Sequence, residues 1–460
     1  MVDEQAPWAE GAGGGKVSAT DTIAAIATAH GAAGVGVLRL SGSRARSIAE
    51  TICACTLTAR RARHARFLDA DGSAIDDGIA LYFAGPRSYT GEDVVELQAH
   101  GSPVLLALLL GRCLALGARA ARPGEFTERA FVAGKLDLAQ AEAVADLISA
   151  GSEAAARAAR RSLDGEFSRR VGALAEALTQ LRMYLEAALD FPDEEIDFLA
   201  APELRARLLQ TGDDLAALLR DAHRGKRLLD GLHVVIAGAP NVGKSSLLNA
   251  LALDERAIVS PTAGTTRDVL REQLNLDGVA LTLVDTAGLR DSTDAIEAEG
   301  MRRARAEIAR ADLVLAVVDD REPDAQPALA VELAAAAAVL WLHNKSDLSP
   351  ARQASAAAGA GSHLRVSART GDGLEALRDR LRNFAGGEAA GSFSARSRHL
   401  DALVLAASHL AQADAQLRGG GAELAAEELR QAQLALGQIT GQLDADALLG
   451  RIFAGFCIGK

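Results

Sequence analysis

Aromatic residues are scarce in this sequence: Phe, Trp and Tyr together make up 3% of its 460 residues, while alanine and leucine are abundant. A chain so poor in the rings that favour strands is better suited to helical packing than to a β-sandwich. Cysteine is scarce too. The four present, Cys53, Cys55, Cys113 and Cys457, show no paired metal-ligand spacing. A disulfide scaffold is out of place in a chain this long and this apolar. There is no excess of basic charge, because the formal net charge is -12. That excludes the broad basic footprint of a constitutive nucleic-acid binder, so any RNA contact has to be local or supplied by a partner. The longest apolar run, Ala328 to Leu342, is mostly alanine and contains Glu332. It is too short and too weak to span a bilayer. The first residues are acidic and lack an apolar core, unlike a secretory leader, so residues 1–18 are expected to be a flexible tail and the protein cytoplasmic, with no membrane partner.

What is present is enough chain for about three domains. With 49% apolar and 24% charged residues, global disorder is excluded. Residues 20–135 mix short β-like runs (Val35–Leu38, Ile79–Phe83, Val94–Leu97) with Gly and Pro punctuation, as a small α/β domain does. From about residue 137 the pattern turns helical. Phe167, Val171, Leu174, Leu178, Leu181 and Leu185 step by four and three and draw one apolar stripe on a long helix. The acidic run Asp190 to Asp197 breaks it, and residues 204–229 are helical again. From 233 to about 384, apolar β runs alternate with helical stretches, the mark of a doubly wound parallel sheet. A Gly/Ser stretch at 386–392 is a linker. Residues 397–460 return to helix, with Leu400, Leu403, Val404, Leu410 and Leu417 as core candidates. The simplest arrangement inserts the α/β segment into a helical domain whose two halves pack together.

The strand Val234 to Ala237 runs into Gly238-Ala-Pro-Asn-Val-Gly-Lys-Ser245 and then an apolar helix, which is G-x-x-x-x-G-K-S in its required strand–loop–helix setting. Glycines let backbone N–H groups close on phosphate oxygens, and the helix N-terminus adds a favourable field. Lys244 supplies charge between the β- and γ-phosphates, and the Ser245 hydroxyl can ligate Mg²⁺. A second strand, Leu281 to Val284, ends in Asp285-Thr286-Ala287-Gly288, where a Mg²⁺ carboxylate and a γ-phosphate backbone contact belong. A third, Val339 to Leu342, leads to Asn344-Lys345-Ser-Asp347. A carboxylate at Asp347 accepts N1–H and the 2-amino group of guanine, which adenine lacks, and so selects GTP over ATP. Val366-Ser367-Ala368 follows where a loop covers the guanine O6. Between the first two motifs, Gly264-Thr265-Thr266-Arg267-Asp268 offers a switch-loop threonine to the Mg²⁺ shell. Leu289 stands where a water-orienting glutamine is usual, so another group has to place the water; Arg290, Asp294, Glu297 and Glu299 follow it. Asn241 in the phosphate loop could help hold a monovalent cation beside the phosphates.

These residues resemble the MnmE (TrmE) family of tRNA-modifying GTPases over nearly all of residues 20–460. The likeness is carried by Asp21 to Thr28, Gly34 to Gly42, Tyr89 to Leu97, Pro123 to Phe131, Gly134 to Asp146, Asp190 to Asp197 and Phe456 to Lys460. It implies a small α+β folate-binding and dimerisation domain (19–136), a discontinuous all-α domain (137–230 and 386–460) and an inserted Ras-like P-loop GTPase domain (231–385). By resemblance, Asn241, Ser260, Thr262 and Thr265 form a K⁺ site and Ser245 and Thr266 a Mg²⁺ site. The GTP contacts are Asn241 to Ser246, Ser260, Thr262, Thr265, Thr266, Asp285 to Gly288, Asn344, Lys345, Asp347, Ser367, Ala368 and Arg369. Glu297 matches the glutamate that helps orient water, beside Lys244, Thr266 and Asp285 in the catalytic set. Arg39, Glu96, Lys135 and Lys460 match contacts to a tetrahydrofolate, either the 5,10-methylene or the 5-formyl derivative. Cys457 matches a terminal family cysteine and is either chemistry-bearing or a packed small apolar residue. The family often has Gly-Arg-Gly-Gly where this chain has Gly31-Ala32-Ala33-Gly34, so one arginine near the folate side is missing. The resemblance also implies a homodimer working with the flavoprotein MnmG on the wobble uridine of certain tRNAs. The other class of function open to a GTPase is a regulatory switch, as in ribosome assembly, without modification chemistry.

Overall fold

The computed structural model describes residues 21–190, 202–252, 271–276, 279–285, 305–322, 329–331, 333–334, 336–349, 363–384, 393–441, 452–453, 455–456 and 459. The chain divides into two units, residues 1–142 with 444–460, and residues 143–443.

In the first unit, β1 (Ile23–Ile26), β2 (Ala33–Ser41), β3 (Arg63–Leu68), β4 (Ala74–Phe83), β5 (Val94–Gly101) and β6 (Arg119–Ala120) form one sheet in the order β3-β4-β5-β2-β1-β6. Every pairing is antiparallel except that of β1 with β6. The period of two sends Leu38 and Leu40 of β2 to the same face as their cross-strand partners Leu97 and Val95 of β5. Helices α1 (Ala45–Cys53) and α2 (Pro103–Ala115) cover that face with Ile48, Ile52, Leu106 and Leu109. Helix α3 (Glu125–Val132) places Phe126 on the other, against Ile23 and Ala25. The unit is therefore α+β. Its C-terminal piece packs on α3: the Phe453 ring lies 6.5 Å from that of Phe131 and 5.3 Å from that of Phe456.

Helix α4 (Leu138–Ser149) starts at a capping box in which Asp137 and Gln140 each accept the other's backbone N–H, at 2.9 and 3.0 Å. Helices α5 (Glu153–Leu163), α6 (Glu166–Asp190) and α7 (Pro202–Asp230) follow. All six residues of the stripe expected on α6, Phe167 to Leu185, are buried. Next in the chain come β7 (Leu232–Ala237), α8 (Lys244–Ala252), β8 (Arg271–Leu276), β9 (Val279–Asp285), β10 (Leu313–Asp319), β11 (Val339–Asn344), β12 (His363–Arg365) and α9 (Leu374–Phe384). The strands order as β12-β11-β10-β7-β9-β8, all parallel but for β8, which runs antiparallel to β9 at one edge. The sheet is thus mixed at that edge and not parallel throughout. Helices α10 (Ser397–Arg418) and α11 (Ala422–Thr440) follow the sheet. Helix α10 packs on α7 and α11 on α6, so the helical stretches before and after the sheet share one core.

The return from sheet to helices is held by buried polar groups. Ser394 Oγ donates to Asp146 Oδ2 at 3.1 Å, Ser162 Oγ donates to Ser394 O at 3.0 Å, and Arg396 pairs with Asp146. The Phe393 ring stacks on Phe167 at 4.6 Å. On α10, Leu400, Leu403 and Leu410 are buried and Leu417 is half-buried, but Val404, expected in the core, is 51% exposed. The buried positions His399, Leu403, Ala406, Leu410 and Ala413 step by four and three, and Val404 sits about 100° off that stripe. Among the described residues no helix is long and apolar enough to cross a membrane.

Candidate nucleotide site and a second cluster

β7 reads Leu-His-Val-Val-Ile-Ala, with only His233 not fully buried, and it lies between β10 and β9 inside the sheet. Its end opens into loop 238–243. The loop is shaped for a close approach. Gly238 has φ +155°, and a Cβ there would lie 2.3 Å from Val317 O; Gly243 has φ +97°, and a Cβ there would lie 2.3 Å from Asn344 Nδ2. Asn241 has φ +63°, the left-handed region that asparagine tolerates better than most residues. Lys244 is 5% exposed, and its ammonium donates to Gly238 O at 3.1 Å and Ala239 O at 2.9 Å, which curls the side chain over the loop. Val242 is buried, while Ser245 and Ser246 are exposed in the first turn of α8. A loop with no room for a side chain at its two glycines, a cation folded across it and a helix N-terminus behind it fits a polyphosphate.

β11 carries the base-reading residues to the same end of the sheet. Asn344 is 2% exposed; its Nδ2 donates to Val242 O at 2.8 Å and its Oδ1 accepts from Ala368 N at 3.0 Å. It therefore ties the phosphate loop to the turn after β12. Lys345, at φ +65°, donates from Nζ to Asn241 O at 2.7 Å and to Asp319 Oδ2 at 2.9 Å. Asp347 is exposed, and Ser367 Oγ donates to its Oδ1 at 2.7 Å, so the carboxylate is oriented before any base arrives. Arg369 is exposed beside it in sequence. Asp319, at the end of β10, is the residue the motif spacing misses. Hydrogen bonds from Arg321 and Lys345 hold its carboxyl well below the usual carboxylate range. Its only sequence signal is an acid closing a buried strand.

The backbone of Asp285 ends β9, and Asp285 pairs in register with Ile236, beside the start of the phosphate loop. Ser260, Thr262, Thr265, Thr266, Thr286, Ala287, Gly288, Leu289, Glu297, Cys457 and Lys460 lie outside the described residues. Of the residues assigned to metals, Asn241 and Ser245 are described, and both belong to the phosphate loop or the turn that follows it.

A second cluster lies in the first unit. Arg39 and Glu96 are cross-strand partners of β2 and β5, joined by hydrogen bonds of 2.8 and 3.1 Å to Glu96 Oε1. The Arg39 guanidinium lies 5.7 Å from the Tyr89 ring centre and 5.8 Å from that of Phe126. Burial pushes the Tyr89 hydroxyl pKa up, and the hydroxyl shares a 2.9 Å hydrogen bond with Thr127. Lys135 is exposed, and a Cβ built on Gly91 would lie 3.5 Å from Lys135 Cε. Loop 84–92 thus borders Arg39 and Lys135, two of the three described folate candidates, and Arg39 in turn holds Glu96. Gly459 stands against Ile26, where a Cβ would come within 2.3 Å of the carbonyl oxygen. Ile26 pairs with Leu38, the neighbour of Arg39. The loop is clamped by ion pairs that the sequence does not announce: Arg129, 4% exposed, bonds Glu92, Asp21 and the fully buried Glu125.

A phosphate loop on a central strand, with an Asn-Lys-x-Asp turn tied to it from the next-but-one strand, defines a P-loop protein of the Ras-like GTPase class. The family model described as MnmE helical domain matches residues 138–457, and that described as GTP-binding protein TrmE N-terminus matches residues 22–135. The tRNA modification GTPase MnmE of Xanthomonas campestris pv. campestris (strain B100) is 59% identical over 95% of this chain and 99% of its own. That of Xylella fastidiosa (strain Temecula1) is 55% identical over 96% and 98%. The chain belongs to the MnmE family of tRNA modification GTPases. Among solved structures, the G domain of the T. maritima FeoB iron transporter aligns with 34% of this chain and 98% of its own, at 25% identity and a TM-score of 0.26.

Proposed function

We propose that this protein hydrolyses GTP and, with the flavoprotein MnmG, adds an aminomethyl-type group to carbon 5 of the wobble uridine of certain tRNAs, the carbon coming from a tetrahydrofolate. The observation that carries the nucleotide part is Asn344, which ties the phosphate loop to the turn that orients Asp347. The two ends of a guanine nucleotide would then be held by one rigid unit. Lys244, now bonded to loop carbonyls, would turn to the β- and γ-phosphates. Asp347 would accept the guanine N1–H and 2-amino donors. Ser245 and Thr266 would hold Mg²⁺, and Asn241, Ser260, Thr262 and Thr265 would hold K⁺; the ions would supply positive charge where negative charge develops on the phosphates. Leu289 cannot orient the attacking water, and Glu297 takes that part.

The folate assignment rests on donor chemistry. A pterin presents a 2-amino-4-oxo edge much like that of guanine, and Glu96, half-buried and fixed by Arg39, offers a carboxylate to it. Tyr89, half-buried beside Arg39, would give the ring an apolar wall, and Lys135 with Lys460 would meet the carboxylates of the folate tail. A protein working as two copies, in the cytoplasm, completes the proposal.

GTP turnover by the purified full chain, in K⁺ and then in Na⁺, tests the hydrolytic part. Loss of one charge contact to the transition state costs roughly 10²–10³-fold in rate, so turnover should fall by about that factor in Na⁺. Equal rates in the two salts, or ATP turned over as fast as GTP, would overturn it.

A further inference from the structure

We propose that the loop before β3 and the free edge of that strand bind the phosphate backbone of an RNA and lead it to the Arg39–Glu96 cluster. The inference rests on the tRNA reading above. An acidic chain that acts on RNA has to meet phosphates at a local basic surface. Residues 58–64 are exposed without interruption and contain Arg60, Arg61, Arg63 and His64 but no acid. β3, which begins at Arg63, is the terminal strand of its sheet.

Most arginines elsewhere in the unit are matched, among them Arg46 with Glu50, Arg66 with Asp77, Arg119 with Asp21, Arg122 with Glu128 and Arg129 with Glu92, while Arg44 donates to the Leu116 carbonyl and Arg112 meets no carboxylate among the described residues. Arg61 and Arg63 meet no carboxylate among the described residues. With Thr56, Thr58 and Ala62 they line a cleft of about 380 Å³. Arg60 points elsewhere: its guanidinium donates to Arg87 O at 2.7 Å and tethers this loop to loop 84–92. Arg87 also meets no carboxylate among the described residues. Two positions on is Tyr89, which lies against Arg39. A backbone held by Arg61, Arg63 and Arg87 therefore follows the loop that borders Arg39 and Lys135. That is the path an RNA needs if one of its bases is to reach them. Charged residues on an edge strand also serve to block pairing with a second sheet, and this is the reading the experiment has to separate.

The experiment is binding of a labelled, unmodified tRNA transcript to the full chain, followed by anisotropy from about 50 to about 200 mM salt. The variant Arg61→Ala/Arg63→Ala should bind roughly tenfold more weakly at the low-salt end, and its log–log salt slope should flatten by roughly 2. Arg61→Lys/Arg63→Lys should keep both affinity and slope. GTP turnover should be unchanged in either. The proposal is overturned if the alanine variant binds like the wild type, if the wild type binds no tRNA at low salt, or if the alanine variant's defect is self-association at unchanged tRNA affinity. Its failure is distinct from failure of the tRNA reading. A deletion strain that keeps its wobble-uridine modification sinks that reading, whereas loss of modification on deletion together with wild-type binding by the alanine variant sinks only this surface.

Discussion

At Gly243, backbone and packing make the same demand. The residue sits at φ +97°, and a methyl group there would strike Asn344 Nδ2, which cannot withdraw without releasing Val242 O and Ala368 N. Backbone strain of this kind costs about 1–3 kcal/mol before any clash is counted, so Gly243→Ala should weaken GTP binding at least about tenfold. Titration with a fluorescent GTP analogue measures it, and wild-type affinity would mean that the loop adapts. Asp347 makes a different prediction. Asp347→Asn exchanges an acceptor for an amide that can donate to the extra carbonyl of xanthine, so preference should move from guanosine to xanthosine nucleotides. Unchanged base preference in a competition titration would remove the assignment. Asp319 brings pH dependence. Its folded-state pKa is lowered by Arg321 and Lys345. Its stabilising contribution is therefore present above about pH 4, where an unfolded aspartate is ionised, and is lost as pH falls through that value toward the folded one. In Asp319→Asn the acid-side fall of the melting temperature should be shallower; a profile parallel to the wild type would show that the Arg321 and Lys345 contacts together add nothing.

Among the elements, α6 is the clearest case of a stripe becoming a core. Phe167, fully buried, stacks on Phe393 just where the chain returns from the sheet. Truncating such a ring costs about 3–5 kcal/mol, so Phe167→Ala should lower the urea midpoint by that equivalent, and a loss below about 1 kcal/mol would contradict the packing described. The same helix shows what a sequence can disclose. Its 4-3-4 spacing is plain because one side is apolar over about five consecutive turns. The apolar β7 and β11 are as plain. β3 is not, because Arg63, His64 and Arg66 fill an exposed edge where alternation carries little apolar signal. β8, too, differs from expectation, since nothing local tells a parallel strand from an antiparallel edge. Val404 was legible as apolar but not as exposed, because neighbouring positions 403 and 404 both look like core until the stripe's phase is known. In the nucleotide site the motif residues are local in sequence and stand out. The Asp319–Lys345 contact and the Arg129 clamp on Asp21 and Glu92 join residues far apart in the chain, and no spacing rule reaches them; only the Arg129–Glu125 pair has the i,i+4 spacing of a helix contact.

On the scale of the whole molecule, the nucleotide site lies in one unit and the Arg39–Glu96 cluster, proposed to take the folate, in the other. The C-terminal tail bears on the second: Phe456 packs against Phe453, and Gly459 stands against Ile26. Cys457 lies between them in sequence. Cys457→Ser should leave GTP turnover near wild type while abolishing wobble-uridine modification; loss of both together, or of neither, would make the thiol structural or idle. Coupling between the sites would be conformational, with GTP biasing one of two arrangements of the protein. The central claim is that this GTPase exists to modify tRNA and is not a free-standing switch. Mass analysis of wobble uridines in a deletion strain tests it most directly. 5-substituted uridines should disappear on deletion, return with the wild-type chain and stay absent with Asp347→Asn. Substituted uridines persisting in the deletion strain would contradict it.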